Sequence, residues 1–175
     1  MPEQEASVRA KNFEEVACGY RPEDAQRASE RCLMCPDQPC VSGCPVGINI
    51  PGFIQKINEK DLRGAYDILT QTSLLPAICG RVCPQENQCE GKCTVGDSLE
   101  AVAIGRLERF VGDTAIREGW TNLPYIEKNG YKVGIVGSGP AGMACAADMA
   151  KAGCEVTVVE AFHQAGGVLK YGIPD

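Results

Sequence analysis

Apolar residues recur at helical spacing over much of the first 120 residues. One stripe runs over residues 53–57 behind Asn49, which we expect to cap the helix. A second stripe runs over residues 62–69 behind Asp61, another expected cap. Because only a short segment separates the two stripes, the pattern predicts a helical hairpin here.

A further helix is predicted on each side of this hairpin. Pro22 is followed by two acidic residues, which is typical of a first helical turn, and we expect this helix to run on to Cys32. Asp97 and Glu100 have capping-box spacing and precede a stripe of apolar residues. The second helix is therefore predicted over residues 97–120.

Less regular segments flank these helices. Residues 1–21 are mostly polar and are expected to form an arm with a short helix. Val8, Phe13 and Val16 are its sizeable apolar residues, so we expect them to anchor it. Turn-forming residues cluster over 119–130 and predict a domain boundary.

The last part of the chain follows a different pattern. Apolar residues predict one strand ending at Val136 and another closing on Glu160, with an alanine-rich helix between them. The turn after the first strand reads G-x-G-x-x-G, which in this context indicates a dinucleotide-binding unit. We therefore predict a mainly α N-terminal domain over residues 1–128, followed over 129–175 by the start of an α/β Rossmann-like dinucleotide-binding domain.

Each glycine of the turn has its own expected role. Gly137 allows a tight bend, Gly139 lets a pyrophosphate approach the backbone, and Gly142 lets the helix pack on the strand. Glu160 is expected to accept hydrogen bonds from ribose hydroxyls, which favours FAD or NAD over a nucleotide with a 2′-phosphate. The alternative for Glu160 is a solvated carboxylate at a strand end.

The cysteines predict that the N-terminal domain is an iron–sulfur domain. Eight of the 11 form two quartets, Cys32, Cys35, Cys40 and Cys44, and then Cys79, Cys83, Cys89 and Cys93. The first quartet has the spacing C-x2-C-x4-C-x3-C-P, close to a ferredoxin run. Structural zinc sites usually combine two C-x2-C pairs or include histidine, so zinc is the weaker alternative, with disulfides or unligated thiols behind it. Each quartet could hold one cluster, or the fourth cysteine of a run could cross to the other cluster, and the spacing leaves this open.

Glu108 occupies a position on the 97–120 stripe where an apolar residue is expected. A buried carboxylate costs free energy unless it is paired or bound to metal. It is therefore either an ion-pair partner, for example of Arg81 or Arg106, or a metal ligand. Cys145 and Cys154 belong to no ligand motif, and we expect them to pack as small core residues.

Composition excludes several classes of function. The formal charge of -6 argues against a nucleic-acid partner, which would draw on an excess of lysine and arginine. No apolar run reaches the roughly 20 residues of a membrane span. The N-terminus shows no secretory signal, so we expect a cytoplasmic protein in which disulfides do not persist.

Five motifs occur in the order CLMCPDQPCVSGCP, LPAICGRVCPQENQCEGKC, AIGRLERF, VGSGPAG and AGGVLKYGIP. Together they resemble the small (beta) subunit of NADPH-dependent glutamate synthase. They are also similar to the large subunit of NADH-dependent reduced ferredoxin:NADP oxidoreductase and to the N-terminal part of dihydropyrimidine dehydrogenase. The resemblance implies two 4Fe-4S clusters in the helical domain, beside an FAD domain into which an NADPH domain is inserted. NADPH would reduce FAD, and electrons would leave singly through the clusters.

The resemblance also implies site residues. One cluster would be bound by Cys32, Cys35, Cys40 and Cys93. The other would be bound by Cys44, Cys83, Cys89 and Glu108. Cys79 then becomes a structural cysteine, and the Glu108 position holds glutamine in dihydropyrimidine dehydrogenase and an acid in some relatives. FAD would bind at Gly137, Ser138, Gly139, Pro140, Ala141, Gly142 and Glu160, with Gly167 in the stretch along the flavin.

The function implied is the electron-transfer part of a flavin and iron–sulfur NADPH oxidoreductase, most in keeping with glutamate synthesis. Its partner would be a large subunit carrying FMN, or another flavoprotein or ferredoxin. The alternatives are a subunit of an electron-bifurcating ferredoxin:NADP oxidoreductase and a zinc-stabilised interaction module. The sequence stops soon after the GGVLKYGIP stretch, so we expect a truncated FAD domain with the NADPH site outside it. Such a fragment should bind FAD poorly and should not transfer hydride alone.

Overall fold

The computed structural model describes residues 1–121 and 125–173. The turn signals at Asn122 and Pro124 and the last two residues lie outside this part of the chain. Contacts divide the chain into two compact units, Met1–Glu5 with Val16–Asn122 and Ala6–Glu15 with Leu123–Asp175. The predicted boundary between residues 128 and 129 stays a prediction.

The described elements are mainly helical. In chain order the helices are α1 (Ala6–Arg9), α2 (Pro22–Ser29), α3 (Pro39–Ser42), α4 (Ile50–Asn58), α5 (Leu62–Leu69), α6 (Pro76–Val82), α7 (Ile104–Arg117), α8 (Pro140–Lys151) and α9 (Val168–Tyr171). The strands are β1 (Lys132–Val136) and β2 (Glu155–Val159). Three short 3-10 turns lie between α6 and α7, at Gln85–Asn87, Glu90–Lys92 and Thr94–Asp97.

The predicted hairpin is formed by α4 and α5, which pack against each other. Asn49 Oδ1 accepts from the Gly52 N–H at 3.1 Å, and Asp61 Oδ1 accepts from the Gly64 N–H at 2.8 Å, so both predicted caps are confirmed. The hairpin contributes much of the core of the first unit. Core side chains that are almost fully buried come from α4, α5 and α7: Phe53, Ile54, Leu69, Leu107 and Val111.

The predicted start of the 97–120 helix is wrong. The helix α7 begins at Ile104, and Asp97 instead ends a 3-10 turn. Val102 and Ile104 are both buried, an alternation that suits an extended segment rather than a helical turn. The Glu90 carboxylate accepts from the Gly105 N–H at 2.9 Å, so a side chain distant in sequence caps α7.

The helix α2 begins at Pro22 as predicted but ends at Ser29, so Cys32 lies just beyond it. Arg31, between that end and Cys32, donates from its guanidinium to the backbone carbonyls of Glu100 and Ala101. These contacts hold the extended segment before α7 against the first quartet.

The arm of residues 1–21 contains the predicted short helix, α1, but the apolar side chains predicted to anchor the arm are exposed. Phe13 is 96% exposed and Val8 is 52% exposed. Backbone bonds instead join the two segments that flank α1: Gln4 N–H donates to Val16 O at 2.8 Å, and Cys18 N–H donates to Pro2 O at 2.9 Å.

The second unit contains the predicted β-α-β pattern. Strands β1 and β2 pair in parallel, from Lys132 opposite Glu155 to Val136 opposite Val159. The helix α8 connects them and packs on both. A side chain at Gly142 would collide with the carbonyl oxygen of Gly137, which explains why the third glycine of the motif is needed.

Helices α6 and α7 approach each other at backbone distance. A Cβ atom at Gly80 would lie 2.5 Å from the backbone nitrogen of Arg109, and one at Gly112 would lie 2.5 Å from the backbone nitrogen of Ala77. Glycine on each helix therefore removes the side chain where the two backbones meet. Among the described residues, no helix combines the length and apolar character that crossing a membrane requires.

Replacement of Gly112 by alanine should destabilise the first unit, because the new methyl group meets backbone that cannot rotate away. We expect a cost of about 1–3 kcal/mol from overpacking, offset by about 1 kcal/mol of helix propensity. Thermal unfolding of the anaerobically purified protein, followed by circular dichroism, measures the change. Gly96→Ala is the matched control, because its Cβ would lie 3.5 Å from the nearest atom, an ordinary contact. Equal melting temperatures for the two variants would contradict the prediction.

Candidate metal centres

All eleven cysteines are free thiols, and the two quartets line two cavities of the first unit. The wall of the first cavity contains Cys32, Cys35, Cys40 and Cys93. The wall of the second cavity contains Cys44, Cys79, Cys83, Cys89 and Glu108. Each cavity thus takes donors from both quartets, because Cys93 lies with the first group and Cys44 with the second.

The four cysteines of the first cavity, which are its possible metal ligands, lie on or beside short secondary-structure elements. Cys32 follows α2, Cys40 lies in α3, and Cys93 lies between two 3-10 turns. The Cys35 thiol lies 3.5 Å from the hydroxyl oxygen of Thr94, next to Cys93. Apolar residues form much of the remaining wall: Leu33, Ile50, Ile54, Val95, Val102 and Ile104.

The donors of the second cavity lie on or beside α6 and α7. Cys79 is on α6, Cys83 is the C-cap residue directly after α6, and Glu108 is on α7. The Cys83 thiol donates to the side-chain oxygen of Gln88 at 3.0 Å. Ile50 and Ile104 line both cavities, so the two cavities share a wall.

Burial disfavours ionisation of the thiols in both cavities. It raises the pKa of Cys40 to about 11, with a smaller contribution from Cys32 beside it. It raises the pKa of Cys89 to about 12, with a contribution from the Glu90 carboxylate. The pKa values of Cys32, Cys79 and Cys83 are also raised, again chiefly by burial. These thiols become good metal ligands only when a bound cation replaces their protons.

Glu108 is buried, with 6% of its surface exposed. Its carboxylate accepts from the Ser73 hydroxyl at 3.3 Å, and burial raises its pKa to about 7. The ion pair considered for it is not formed with Arg81, which lies 2.6 Å from Asp113, and no cation contributes to the pKa shift of Glu108. Glu108 therefore points its carboxyl into a cavity lined with thiols and has no internal counter-charge within the described chain.

Cys79 lies in the wall of the second cavity, although the resemblance implied a structural cysteine. The second cavity therefore contains five possible donors. Within residues 1–121 and 125–173, no three cysteine, histidine or carboxylate side chains converge as ligands of one metal ion.

The glycine turn in the second unit has the predicted geometry. Gly137 has φ 92°, in the left-handed region that favours glycine. A Cβ at Gly139 would meet nothing within 4 Å, so its backbone is open to a ligand. Gly167, also at positive φ, packs on Gly139, so the structure brings these two predicted FAD-binding positions together.

The Glu160 side chain is hydrogen-bonded to Ser138 of the glycine turn. Its carboxylate accepts from the hydroxyl of Ser138, from the Ser138 N–H at 2.9 Å and from the Phe162 N–H at 3.0 Å. The Ser138 hydroxyl is the largest cause that lowers the pKa of Glu160 to about 2. The same hydroxyl accepts from the Gly166 N–H at 2.9 Å. A ribose would therefore share Glu160 with Ser138.

Sequence reasoning missed some neighbours of the donors and misplaced one cysteine. Three of the possible metal ligands have polar neighbours that no sequence motif indicates. These neighbours are Ser73 beside Glu108, Gln88 beside Cys83 and Thr94 beside Cys35. Cys145 is exposed, so its predicted core packing is wrong, because the face of α8 that carries it is open in this unit. Cys154 is partly buried.

Known proteins match the chain over nearly its full length. A putative oxidoreductase UacF from Escherichia coli K12 is 42% identical over 171 residues, covering 97% of this chain and 27% of the relative. The glutamate synthase [NADPH] small chain of Halomonas elongata is 39% identical, covering 97% of this chain and 36% of the relative. The corresponding small chain of Escherichia coli K12 is 37% identical, covering 99% of this chain and 37% of the relative. The chain thus spans roughly a quarter to two fifths of these relatives.

Two family models match separate parts of the chain. The model for an NAD(P)-binding Rossmann-like domain matches residues 135–172, which include the glycine turn. The model for dihydropyrimidine dehydrogenase domain II, 4Fe-4S cluster, matches residues 9–120, which include both quartets and Glu108. The resemblance found in the motifs is confirmed. Since the second match spans more than half of the chain, the chain belongs to the family of dihydropyrimidine dehydrogenase domain II, an iron–sulfur family.

Proposed function

We propose that this chain is the electron-transfer part of a flavin and iron–sulfur NADPH oxidoreductase of glutamate synthase type. It would hold two 4Fe-4S clusters in the first unit and contribute to an FAD site in the second. The observation that carries the proposal is the grouping of the quartets around two cavities that share the wall of Ile50 and Ile104.

The donor set suits clusters. A 4Fe-4S cluster takes four protein ligands, usually thiolates, and the first cavity offers four cysteines. In the second cavity we assign Cys44, Cys83 and Cys89 as ligands with Glu108. The positive charge of a metal centre would offset the desolvation of the Glu108 carboxylate, which has no cation beside it among the residues that the structure describes.

The second unit supports a dinucleotide. The open backbone of Gly139 and the N-terminus of α8 offer N–H groups to a pyrophosphate, and Glu160 lies beside them through Ser138. FAD supplies the step from two-electron hydride chemistry to one-electron transfer. The residues of this chain would position that group and enclose the cluster ligands in largely apolar surroundings.

The partner follows from the relatives. Two of them are small chains of glutamate synthase [NADPH], which supports a large subunit as the partner of this protein. Another flavoprotein or a ferredoxin is the second candidate partner, since one relative is named only as a putative oxidoreductase, without a subunit role. Affinity purification of the natural full-length protein, followed by identification of the copurifying subunit, separates these two.

Protein purified anaerobically should be brown and contain about eight iron atoms and about eight sulfides per chain. The physical reason is that two cavities each offer four ligands to one cluster. Metal analysis with a sulfide assay measures both numbers. A colourless protein with stoichiometric zinc would establish the zinc-stabilised interaction module instead.

Replacement of Glu108 by alanine should change the EPR signal of one reduced cluster and leave the other signal as it is. Only the second cavity contains Glu108, so only its cluster loses a ligand. Glu118→Ala is the matched control, because Glu118 is an exposed carboxylate at the other end of α7. Two unchanged signals in Glu108→Ala would refute the assignment of Glu108 as a ligand.

Cluster assembly should depend on pH between 7 and 9. The metal-free thiols of Cys40 and Cys89, with pKa values of about 11 and about 12, are protonated throughout this range. Metal binding must displace those protons, so the apparent affinity should rise with pH, by up to about tenfold per pH unit for each proton displaced. Anaerobic reconstitution against a competing chelator at each pH measures the trend, and a flat profile would contradict it.

A further inference from the structure

The second cavity contains one donor more than a 4Fe-4S cluster takes from a protein. Cys44, Cys83, Cys89 and Glu108 already make four ligands. Cys79 lies in the same wall, close enough for the Glu108 carboxylate and the Cys83 and Cys44 thiols to act on it electrostatically.

We propose that Cys79 is a reserve ligand of the cluster in the second cavity, able to bind the iron that Glu108 otherwise holds. This inference rests on the proposed function, which places a cluster there. It gives the cluster two forms, one with a carboxylate ligand and one with four thiolates.

The backbone holds the two competing donors side by side. Gly80 follows Cys79 on α6, and its Cα packs on Arg109, which follows Glu108 on α7. Each of these two possible ligands is therefore one residue away from a point where the two helix backbones are in close contact. This contact fixes the spacing of residues 79 and 108 more firmly than flexible side chains could.

Ser73 serves both donors. Its side chain is buried, with 3% of the residue exposed, and its hydroxyl donates to Glu108 Oε1 at 3.3 Å. Burial raises the pKa of the Cys79 thiol, and the Ser73 hydroxyl acts in the opposite direction and lowers it. A hydroxyl has one proton to donate, so Ser73 can stabilise whichever of the two donors bears negative charge.

The exchange balances without a further reactant. The bond from iron to the Glu108 oxygen breaks, and a bond from iron to the Cys79 sulfur forms. The proton of the Cys79 thiol passes to the released carboxylate. No electron moves, and the total charge of the cavity is unchanged.

The test compares four proteins purified anaerobically: wild type, Cys79→Ala, Glu108→Ala and the double variant. We expect wild type and Cys79→Ala to retain about eight irons with the same EPR signals. Glu108→Ala should also retain about eight irons but with one altered signal, because Cys79 then completes the ligand set. The double variant should lose iron from that cluster.

Two further variants keep the comparison sharp. Glu108→Ala with Cys145→Ala should behave like Glu108→Ala alone, because Cys145 is an exposed cysteine of the other unit. Glu108→Ala with Cys79→Ser keeps a side chain of similar size beside Ser73 and should still lose iron. The unchanged signal of the cluster in the first cavity reports that the double variants are folded.

Three results would overturn the inference. Glu108→Ala could lose as much iron as the double variant, the double variant could retain all its iron, or Cys79→Ala alone could lose the cluster. Wild-type protein without iron would overturn the proposed function and this inference with it, so the two failures are distinguishable.

Discussion

The constraint on which the first unit depends is the burial of the Glu108 carboxyl among thiols, with no cation beside it in the described part of the chain. Folding encloses the Cys89 thiol and the Glu108 carboxyl in the second cavity, where burial raises their pKa values to about 12 and about 7 and so disfavours ionisation. A protein does not accumulate such groups for stability, because apolar residues of the same size would pack at lower cost. The cavities therefore make physical sense as sites for a cationic centre.

Each cavity contains cysteines from both quartets, so the possible metal ligands of one cavity come from both halves of the first unit. Cys93 joins the segment after α2, and Cys44 joins the segment around α6 and α7. Metal bound in either cavity would therefore link parts of the chain that are distant in sequence. The apolar core gives a second connection, since Ile50 at the start of α4 and Ile104 at the start of α7 lie between the cavities. Loss of either centre should loosen both halves.

Much of the fold was readable because its signals are local. Asn49 and Asp61 cap the helices that follow them, and the glycine turn after β1 specifies its own geometry. The start of α7 was not readable, because its cap is Glu90, which lies 15 residues earlier, and its preceding segment is held by Arg31. The donor types were evident from the quartets, but their grouping needed the resemblance, and Ser73 needed the structure. Spacing had already grouped Cys79 with Cys83 and Cys89, as the second cavity does, whereas the resemblance implied that Cys79 is a structural cysteine.

The glycine contacts between α6 and α7 also restrict how this chain can evolve. Gly80 and Gly112 have no side chain that could bind a metal, yet a side chain at either position would force the two backbones apart. Cys79 and Glu108 would separate with them, so a change in a residue that offers no ligand atom would disturb the proposed metal site. Mutational tolerance at that proposed site would then be set partly by residues that a search for ligands would never include.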